Sequence, residues 1–159
     1  MARSIDEVRK KLKILFLCTG NSCRSQMAEA WTRRLKGDLI EPYSAGVAPH
    51  AVDPRAVKAM VEVGIDISGA SSKSPEDLGD MEFDYVITVC DRAHQTCPVF
   101  PGSTRVVHVG FDDPPRLAEN APDEEEAMAH YRRVRDEIEA FVEKLPDGLD
   151  PHGDPQEND

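Results

Sequence analysis

An apolar run that ends in a cysteine constrains this chain more than any other feature. Residues 13–17 read KILFL, a pattern typical of a strand that is buried on both faces. From Arg24 onward, apolar side chains recur on one helical face, which predicts a helix that contains Met27, Ala28, Trp31 and Leu35. Only the short loop CTGNSC, residues 18–23, joins the two elements. A buried strand that leads directly into a helix is typical of an α/β fold.

The rest of the chain continues this alternation of strands and helices. Pro42 interrupts an apolar segment at 39–44, which predicts a strand at a sheet edge. Asp53 before a proline is typical of a helix N-cap, and Gly64 is expected to end that helix. Two further strands are predicted at 85–89 and 105–109, and a long amphipathic helix at 123–145. The order predicts a three-layer α/β/α fold with a four-stranded parallel sheet.

Length and composition limit the classes of function. The 159 residues suffice for one domain, which we place at 11–145, after an extension at 1–10 and before an acidic tail at 146–159 that is expected to be disordered. The net charge of −11 argues against nucleic-acid binding. No apolar stretch approaches the roughly 18 residues of a membrane helix, and the apolar run after the basic N-terminus is shorter than we expect for a secretory signal. We expect a cytoplasmic monomer with reduced cysteines and no membrane partner.

Candidate functional residues follow three of the predicted strands. Cys18 ends the first strand, Cys90 ends the third, and Asp112 and Asp113 follow the fourth. In parallel sheets, ligands bind outside the carboxyl ends of the strands. We therefore expect these side chains to meet at one edge of the sheet.

The segment 18–24 has the spacing C-x5-R between a strand and a helix N-terminus. A loop of this length can turn its backbone N–H groups inward as a nest for a tetrahedral oxyanion, and the helix dipole reinforces that nest. Gly20 and Asn21 tolerate the positive φ that such a loop requires. Arg24 offers a planar fork for two oxygens of the anion. The predicted anion-binding residues are Thr19, Gly20, Asn21, Ser22, Cys23, Arg24 and Ser25.

Cys18 lies in the positive electrostatic field of this loop, and that field favours the nucleophilic thiolate form of the side chain. Ser25 can donate a hydrogen bond to the thiolate. The alternative is a buried apolar cysteine before an ordinary turn. The loop also has glycine, asparagine, arginine and serine at the positions that an oxyanion-binding loop requires. This combination favours the interpretation of Cys18 as a nucleophile over that of a buried apolar cysteine.

A second cysteine region reads CDRAHQTCPVFP at 90–101. Cys90 and Cys97 could ligate zinc together with His94, although the C-x6-C spacing is wrong for the usual zinc knuckle. They could also be two buried cysteines at a strand end. A third possibility is redox chemistry, because two thiols supply two electrons when they form a disulfide.

Together these segments resemble the thioredoxin-coupled arsenate reductases of the low-molecular-weight protein tyrosine phosphatase superfamily. The matching motifs are CTGNSCRSQMAE at 18–29, SAG at 44–46, C-D-x-A-x-x-x-C-P-x-F-P at 90–101 and F-D-D-P at 111–114. The resemblance implies a phosphatase-like fold and P-loop, and reduction of arsenate to arsenite for arsenic detoxification. It makes Cys18 the nucleophile, Cys90 the resolving thiol and Cys97 the thiol that carries the disulfide to thioredoxin. Cys23 then lies outside the cascade.

The same resemblance assigns Asp113 as the general acid, with Asp112 as the less favoured candidate. The alternative for these aspartates is a polar turn before Pro114. The tyrosine pair that tyrosine phosphatases carry after this motif is replaced by Pro115 and Arg116, which weakens a phosphotyrosine assignment. The runner-up function is nevertheless a low-molecular-weight phosphatase that uses Cys18, Arg24 and Asp113. A non-enzymatic thiol switch or zinc protein is the third possibility.

No metal site and no tightly bound cofactor are predicted. The histidines have no metal-ligand spacing and are expected at the surface or in packing contacts; they are His50, His94, His108, His130 and His152. Some members of the resembled family hold potassium with residues that correspond to Asn21, Glu29, Ser44 and an acidic residue. The acidic position falls at Lys73 in this chain. An ammonium there would repel a cation and could replace it beside Glu29, which argues against a dependence on potassium.

Overall fold

The structure is a computed structural model that describes residues 11–90, 104–147 and 149. All the strands and helices predicted above are confirmed, with ends that differ by a few residues. The strands are β1 Leu12–Cys18, β2 Ile40–Gly46, β3 Tyr85–Thr88 and β4 Arg105–His108. The helices are α1 Arg24–Lys36, α2 Pro54–Val61, α3 Pro114–Ala118 and α4 Glu124–Glu143, and a 3-10 helix spans Pro75–Leu78. The sequence did not predict α3 or the 3-10 helix.

The four strands form one parallel sheet in the order β2-β1-β3-β4. Successive side chains of a strand point to opposite faces of its sheet. Every residue of β1 from 14 to 18 is nonetheless buried, so both faces of the sheet are covered. This is the three-layer α/β/α architecture expected from the sequence. The prediction of β2 as an edge strand is also confirmed.

The strand order places a topological switch point at the carboxyl end of β1. The chain passes from β1 to its neighbour β2 on one side, and then crosses to β3 on the other side. Connections that diverge in this way leave a crevice above the first strand, where α/β proteins bind ligands. Cys18 is the last residue of β1 and therefore stands at this crevice.

Helix α4 supplies much of the cover for the core. Its buried face is formed by Ala127, Met128, Tyr131, Val134, Arg135, Ile138 and Val142, at the spacing of an amphipathic helix. Asp123 caps its first turn by accepting a hydrogen bond from the backbone N–H of Glu126 at 2.9 Å. The indole of Trp31 on α1 donates to the carbonyl of Arg135 at 3.1 Å. That contact fixes α4 against the helix that begins at the candidate site.

The packed part of the chain extends beyond residue 145, the predicted end of the domain. Leu149 is 3% exposed, and its carbonyl accepts a hydrogen bond from the hydroxyl of Tyr85 at 2.9 Å. An apolar side chain with a partner on β3 belongs to the core. Residues 1–10, 148 and 150–159 lie outside the described part, and no helix within that part is long and apolar enough to cross a membrane.

Candidate active site

In the loop between β1 and α1, the backbone carbonyl groups accept hydrogen bonds from the protein, whereas the backbone N–H groups donate none to any residue that the structure describes. Its carbonyls at residues 18, 19, 20 and 22 accept backbone hydrogen bonds of 2.8–3.0 Å from Val47, Ala48, His50 and Asp53. Within the described ranges, none of the backbone N–H groups of residues 19–25 donates to a protein acceptor. Residues 20–25 are buried. Buried donors without partners are costly, so this loop is shaped to receive an anion.

Asn21 turns the loop through the left-handed region, with φ of 50°. Asparagine tolerates this conformation better than most residues. Its carbonyl accepts from the side chains of Gln26 at 3.1 Å and Ser72 at 2.7 Å. Its side-chain Oδ1 accepts from the backbone N–H of Lys73 at 2.9 Å. The positive φ predicted at Asn21 is therefore confirmed.

Gly20 is needed for room and not for a positive φ, which the structure does not show at this residue. A Cβ added to Gly20 would lie 2.3 Å from Nε2 of His50. The imidazole of His50 therefore lies directly against the loop. No functional role was predicted for His50, although it lies four residues after the SAG motif, where the chain leaves β2 beside the loop.

A relay of hydrogen bonds leads from Asn21 to the sulfur of Cys18. The amide Nδ2 of Asn21 donates to Oγ of Ser25 at 2.8 Å, and that Oγ lies 2.9 Å from Sγ of Cys18. Because Ser25 accepts from the amide, its own hydroxyl hydrogen is available for the cysteine sulfur. A hydrogen-bond donor held against the sulfur is what an activated nucleophile needs.

The two adjacent aspartates of the F-D-D-P motif point to different partners. Oδ1 of Asp113 lies 3.4 Å from Nη2 of Arg24, whose Nη1 donates to the carbonyl of Phe111 at 2.8 Å. Asp112 instead pairs with Arg133 on α4 at 3.1 Å. The structure thus brings Asp113, and not Asp112, to the arginine of the anion loop.

Cys90 lies on the wall of the same cavity as Cys18. The cavity has a volume of about 1170 Å³ and is also lined by Arg24, Asp113 and the loop residues Thr19, Gly20, Ser22 and Cys23. Sγ of Cys90 is 3.2 Å from the hydroxyl of Thr19. Cys97 and His94 lie outside the described residues. The side chains of Cys18, Cys90, Arg24 and Asp113 share one cavity as expected, while their chemical roles remain predictions.

Cys23 is a loop thiol with a different environment. Burial raises its pKa well above the usual value, and the negative charge of Asp53 raises that pKa further. Cys23 is therefore a neutral thiol at neutral pH, which is a poor nucleophile. Asp53 itself accepts from the hydroxyl of Tyr131 on α4 at 2.5 Å. Cys18 and Cys23 are both free thiols in this structure.

The residues that would correspond to a potassium site have other partners. Glu29 receives a hydrogen bond from Ser44 at 2.5 Å and an ion pair from Arg33 at 2.8 Å. Within the described ranges, Lys73 makes no ion pair with Glu29, and its ammonium instead donates to the carbonyl of Ser71 at 3.0 Å. Oδ1 of Asn21 is already occupied, as described above. Glu29 and Asn21 therefore both have protein partners in this structure. The described residues also contain no cluster of three metal-ligating side chains.

Comparison with known proteins shows which protein family and which individual proteins this chain resembles. The family model described as low molecular weight phosphotyrosine protein phosphatase matches residues 13–153. An arsenate reductase of Halalkalibacterium halodurans is 51% identical over 128 residues, which are 80% of this chain and 90% of that protein. An arsenate reductase of Bacillus subtilis is 50% identical over 129 residues, which are 79% of this chain and 88% of that protein.

Solved structures of similar proteins are also described as arsenate reductases. One in an oxidized state has a TM-score of 0.70 and 30% identity, and the match covers 87% of this chain and 98% of the other. A thioredoxin-dependent arsenate reductase of Corynebacterium glutamicum has a TM-score of 0.66 and 25% identity, and the match covers 89% of this chain and 63% of the other.

The contact between Gly46 and the anion loop leads to a prediction. A Cβ at Gly46 would lie 2.6 Å from the carbonyl oxygen of Thr19 and 2.7 Å from the backbone nitrogen of Asn21. These are backbone atoms that no side-chain rotation can move, so Gly46→Ala must displace the loop. We expect the affinity for inorganic phosphate, measured by titration calorimetry, to fall about 10–100-fold. Urea unfolding should show a loss of about 1–3 kcal/mol.

Gly69→Ala is the matched control, because a Cβ at Gly69 meets no atom within 4 Å. It should leave the phosphate affinity unchanged. Wild-type phosphate affinity in Gly46→Ala would show that the loop tolerates the added methyl group and would contradict the steric argument.

Proposed function

This chain belongs to the low molecular weight phosphotyrosine protein phosphatase family, and we propose that it reduces arsenate to arsenite with thioredoxin as the electron donor. The observation that carries the proposal is that two cysteine side chains, Cys18 and Cys90, lie on the wall of one cavity. Phosphate-ester hydrolysis needs only the thiol in the anion loop. Reduction of arsenate needs a second thiol, because two electrons must be given up as a disulfide forms.

In the first proposed step, the N–H groups of residues 19–25 and the guanidinium of Arg24 bind arsenate. The thiolate of Cys18 attacks arsenic and forms a sulfur–arsenic bond. Asp113, which lies 3.4 Å from Arg24, donates a proton to the departing oxygen, which leaves as water. The donors of the loop stabilise the charge on the remaining oxygens.

In the second proposed step, Cys90 attacks the sulfur of Cys18. A disulfide forms, the sulfur–arsenic bond breaks, and its electron pair stays on arsenic, which leaves as arsenite. The hydroxyl of Thr19, 3.2 Å from Sγ of Cys90, is in a position to hold that sulfur at the cavity wall. The two thiols together supply the two electrons.

In the third proposed step, Cys97 attacks Cys90 and frees Cys18. The resulting Cys90–Cys97 disulfide is then reduced by thioredoxin. This part rests on the motif at 90–101 and on the similarity to a thioredoxin-dependent arsenate reductase. We propose that a monomer performs the reaction in the cytoplasm, where thiols are kept reduced. The contacts of Glu29 with Arg33 and Ser44 support turnover without bound potassium.

A low-molecular-weight phosphatase is the second candidate, since the family match and the set Cys18, Arg24 and Asp113 suit both reactions. Pro115 and Arg116 line the cavity and offer no aromatic ring for a phosphotyrosine to stack on. Hydrolysis of an aryl phosphate is therefore expected to be a side activity at most.

The direct test of the proposed function is arsenite formation with defined electron donors. Thioredoxin, its reductase and NADPH should sustain many turnovers, in sodium as well as in potassium salts. Glutathione with glutaredoxin should support little turnover, because the chain stores the disulfide within itself. Arsenite release only with glutathione and glutaredoxin would contradict the thioredoxin assignment. Aryl-phosphate hydrolysis without any arsenite would favour the phosphatase, and a requirement for potassium would contradict turnover without that ion.

The adjacent aspartates provide a matched pair of variants. Asp113→Asn keeps the shape of the side chain but removes the proton donor, so kcat should fall about 10²–10⁴-fold. Asp112→Asn breaks only the exposed ion pair with Arg133 and should change kcat less than about twofold. Steady-state arsenite formation measures both. Equal rates for Asp113→Asn and wild type would remove Asp113 from the mechanism.

The cysteine cascade predicts different defects for Cys90 and Cys97. Cys97→Ser should release about one arsenite per enzyme and then stop with a Cys18–Cys90 disulfide. Cys90→Ser should fail even in the first turnover. A single-turnover measurement of arsenite, followed by peptide mapping of the disulfide, separates the two defects. Continuous thioredoxin-driven turnover by Cys97→Ser would rule out the shuttle while leaving the first two steps in place.

A further inference from the structure

We propose that Arg116 is a capture residue for the incoming oxyanion, which it attracts to the mouth of the cavity without taking part in bond breaking. Arg116 is exposed, lies in the short helix α3 and lines the same cavity as Cys18. The inference rests on the proposed function, because it assigns to Arg116 the binding of arsenate before the chemical steps.

The other fully charged side chains among the described residues of the cavity wall are already paired. Asp112 is bound to Arg133 at 3.1 Å, and Arg24 faces Asp113 at 3.4 Å. Within the described ranges, Arg116 has no carboxylate within ion-pair distance and no acceptor for a side-chain hydrogen bond. Its charge is free to act on a ligand.

Most other arginines that the structure describes do have a partner for their guanidinium group. Seven of them contact a carboxylate or a carbonyl oxygen, and these are Arg24, Arg33, Arg34, Arg55, Arg132, Arg133 and Arg135. Only Arg105 and Arg116 have no such contact among the described residues. Arg105 begins β4, so it lies at the edge of the sheet opposite the cavity. Among the arginines that the structure describes, Arg116 is thus the only one that places an unpaired guanidinium at the cavity.

A positive charge at the mouth of the cavity would counteract the repulsion between the acidic protein and its anionic substrate. The net charge of −11 repels an oxyanion at long range. A single positive charge within about 8–10 Å of the path of the anion acts inside the Debye length at physiological salt, whereas distant carboxylates are largely screened. Charges lining a cleft raise the local concentration of an oppositely charged substrate. Arg116 should therefore act on KM and leave kcat unchanged.

The test compares Arg116→Gln, Arg116→Lys and the control Arg105→Gln. Each glutamine variant removes one positive charge, so both have the same net charge. At low ionic strength, Arg116→Gln should raise the KM for arsenate about three- to tenfold with unchanged kcat, while Arg105→Gln changes it less than about twofold. At about 0.5 M salt the difference should nearly vanish. Arg116→Lys should retain most of the wild-type KM, because only the charge is required.

The same variants are titrated with inorganic phosphate by calorimetry, and urea unfolding confirms that each is folded. If the wild-type protein forms no arsenite, the proposed function fails, and the phosphate affinity still decides whether Arg116 captures oxyanions. A KM and a phosphate affinity of wild-type value in Arg116→Gln would overturn the inference. An equal rise of the KM for arsenate in Arg105→Gln would also overturn it, because the change in net charge would then explain the effect of both variants. A raised KM for thioredoxin with unchanged KM for arsenate would assign Arg116 to the reductant instead.

Discussion

The left-handed turn at Asn21 is the constraint on which the candidate site depends. At φ of 50° the turn directs the carbonyl groups of the loop toward the surrounding chain, where each finds a donor. The side chain of the same residue holds Ser25, which in turn contacts Cys18. One asparagine thus shapes the nest of N–H groups and positions the nucleophile. The energy of holding a non-glycine residue in this conformation is offset by the hydrogen bonds that it makes.

Strand register supports this loop from behind. Cys18 pairs with Gly46 across β1 and β2, and the chain that follows Gly46 donates hydrogen bonds to the loop carbonyls. On the other side, β3 lies next to β1, with Leu17 opposite Thr88. A residue just beyond the end of β3 must therefore come close to a residue at the end of β1. The two-thiol chemistry proposed here needs only that a cysteine occupies this place, as Cys90 does.

The alternation of strands and helices could be predicted from apolar periodicity, because burial on one or both faces leaves its pattern in the sequence. The strand ends then indicated that Cys18, Cys90 and Asp113 would share an edge. Pairings across space could not be predicted in this way. Arg33, and not Lys73, contacts Glu29, because side-chain reach and the turn of α1 decide that contact. The packing of His50 on Gly20 and the short helix α3 likewise depend on neighbours that local spacing does not reveal.

A strongly acidic protein can bind an oxyanion because hydrogen bonds at contact distance are stronger than the repulsion from distant carboxylates. A unit charge about 20 Å away in water contributes only about 0.2 kcal/mol, and salt reduces this further. A hydrogen bond to a charged group contributes about 1.5–3 kcal/mol. The seven N–H groups of residues 19–25 are held in place before the anion arrives, so little ordering is needed on binding. A few preorganised donors therefore exceed the repulsion of many distant carboxylates, and the acidic surface remains compatible with an anionic substrate.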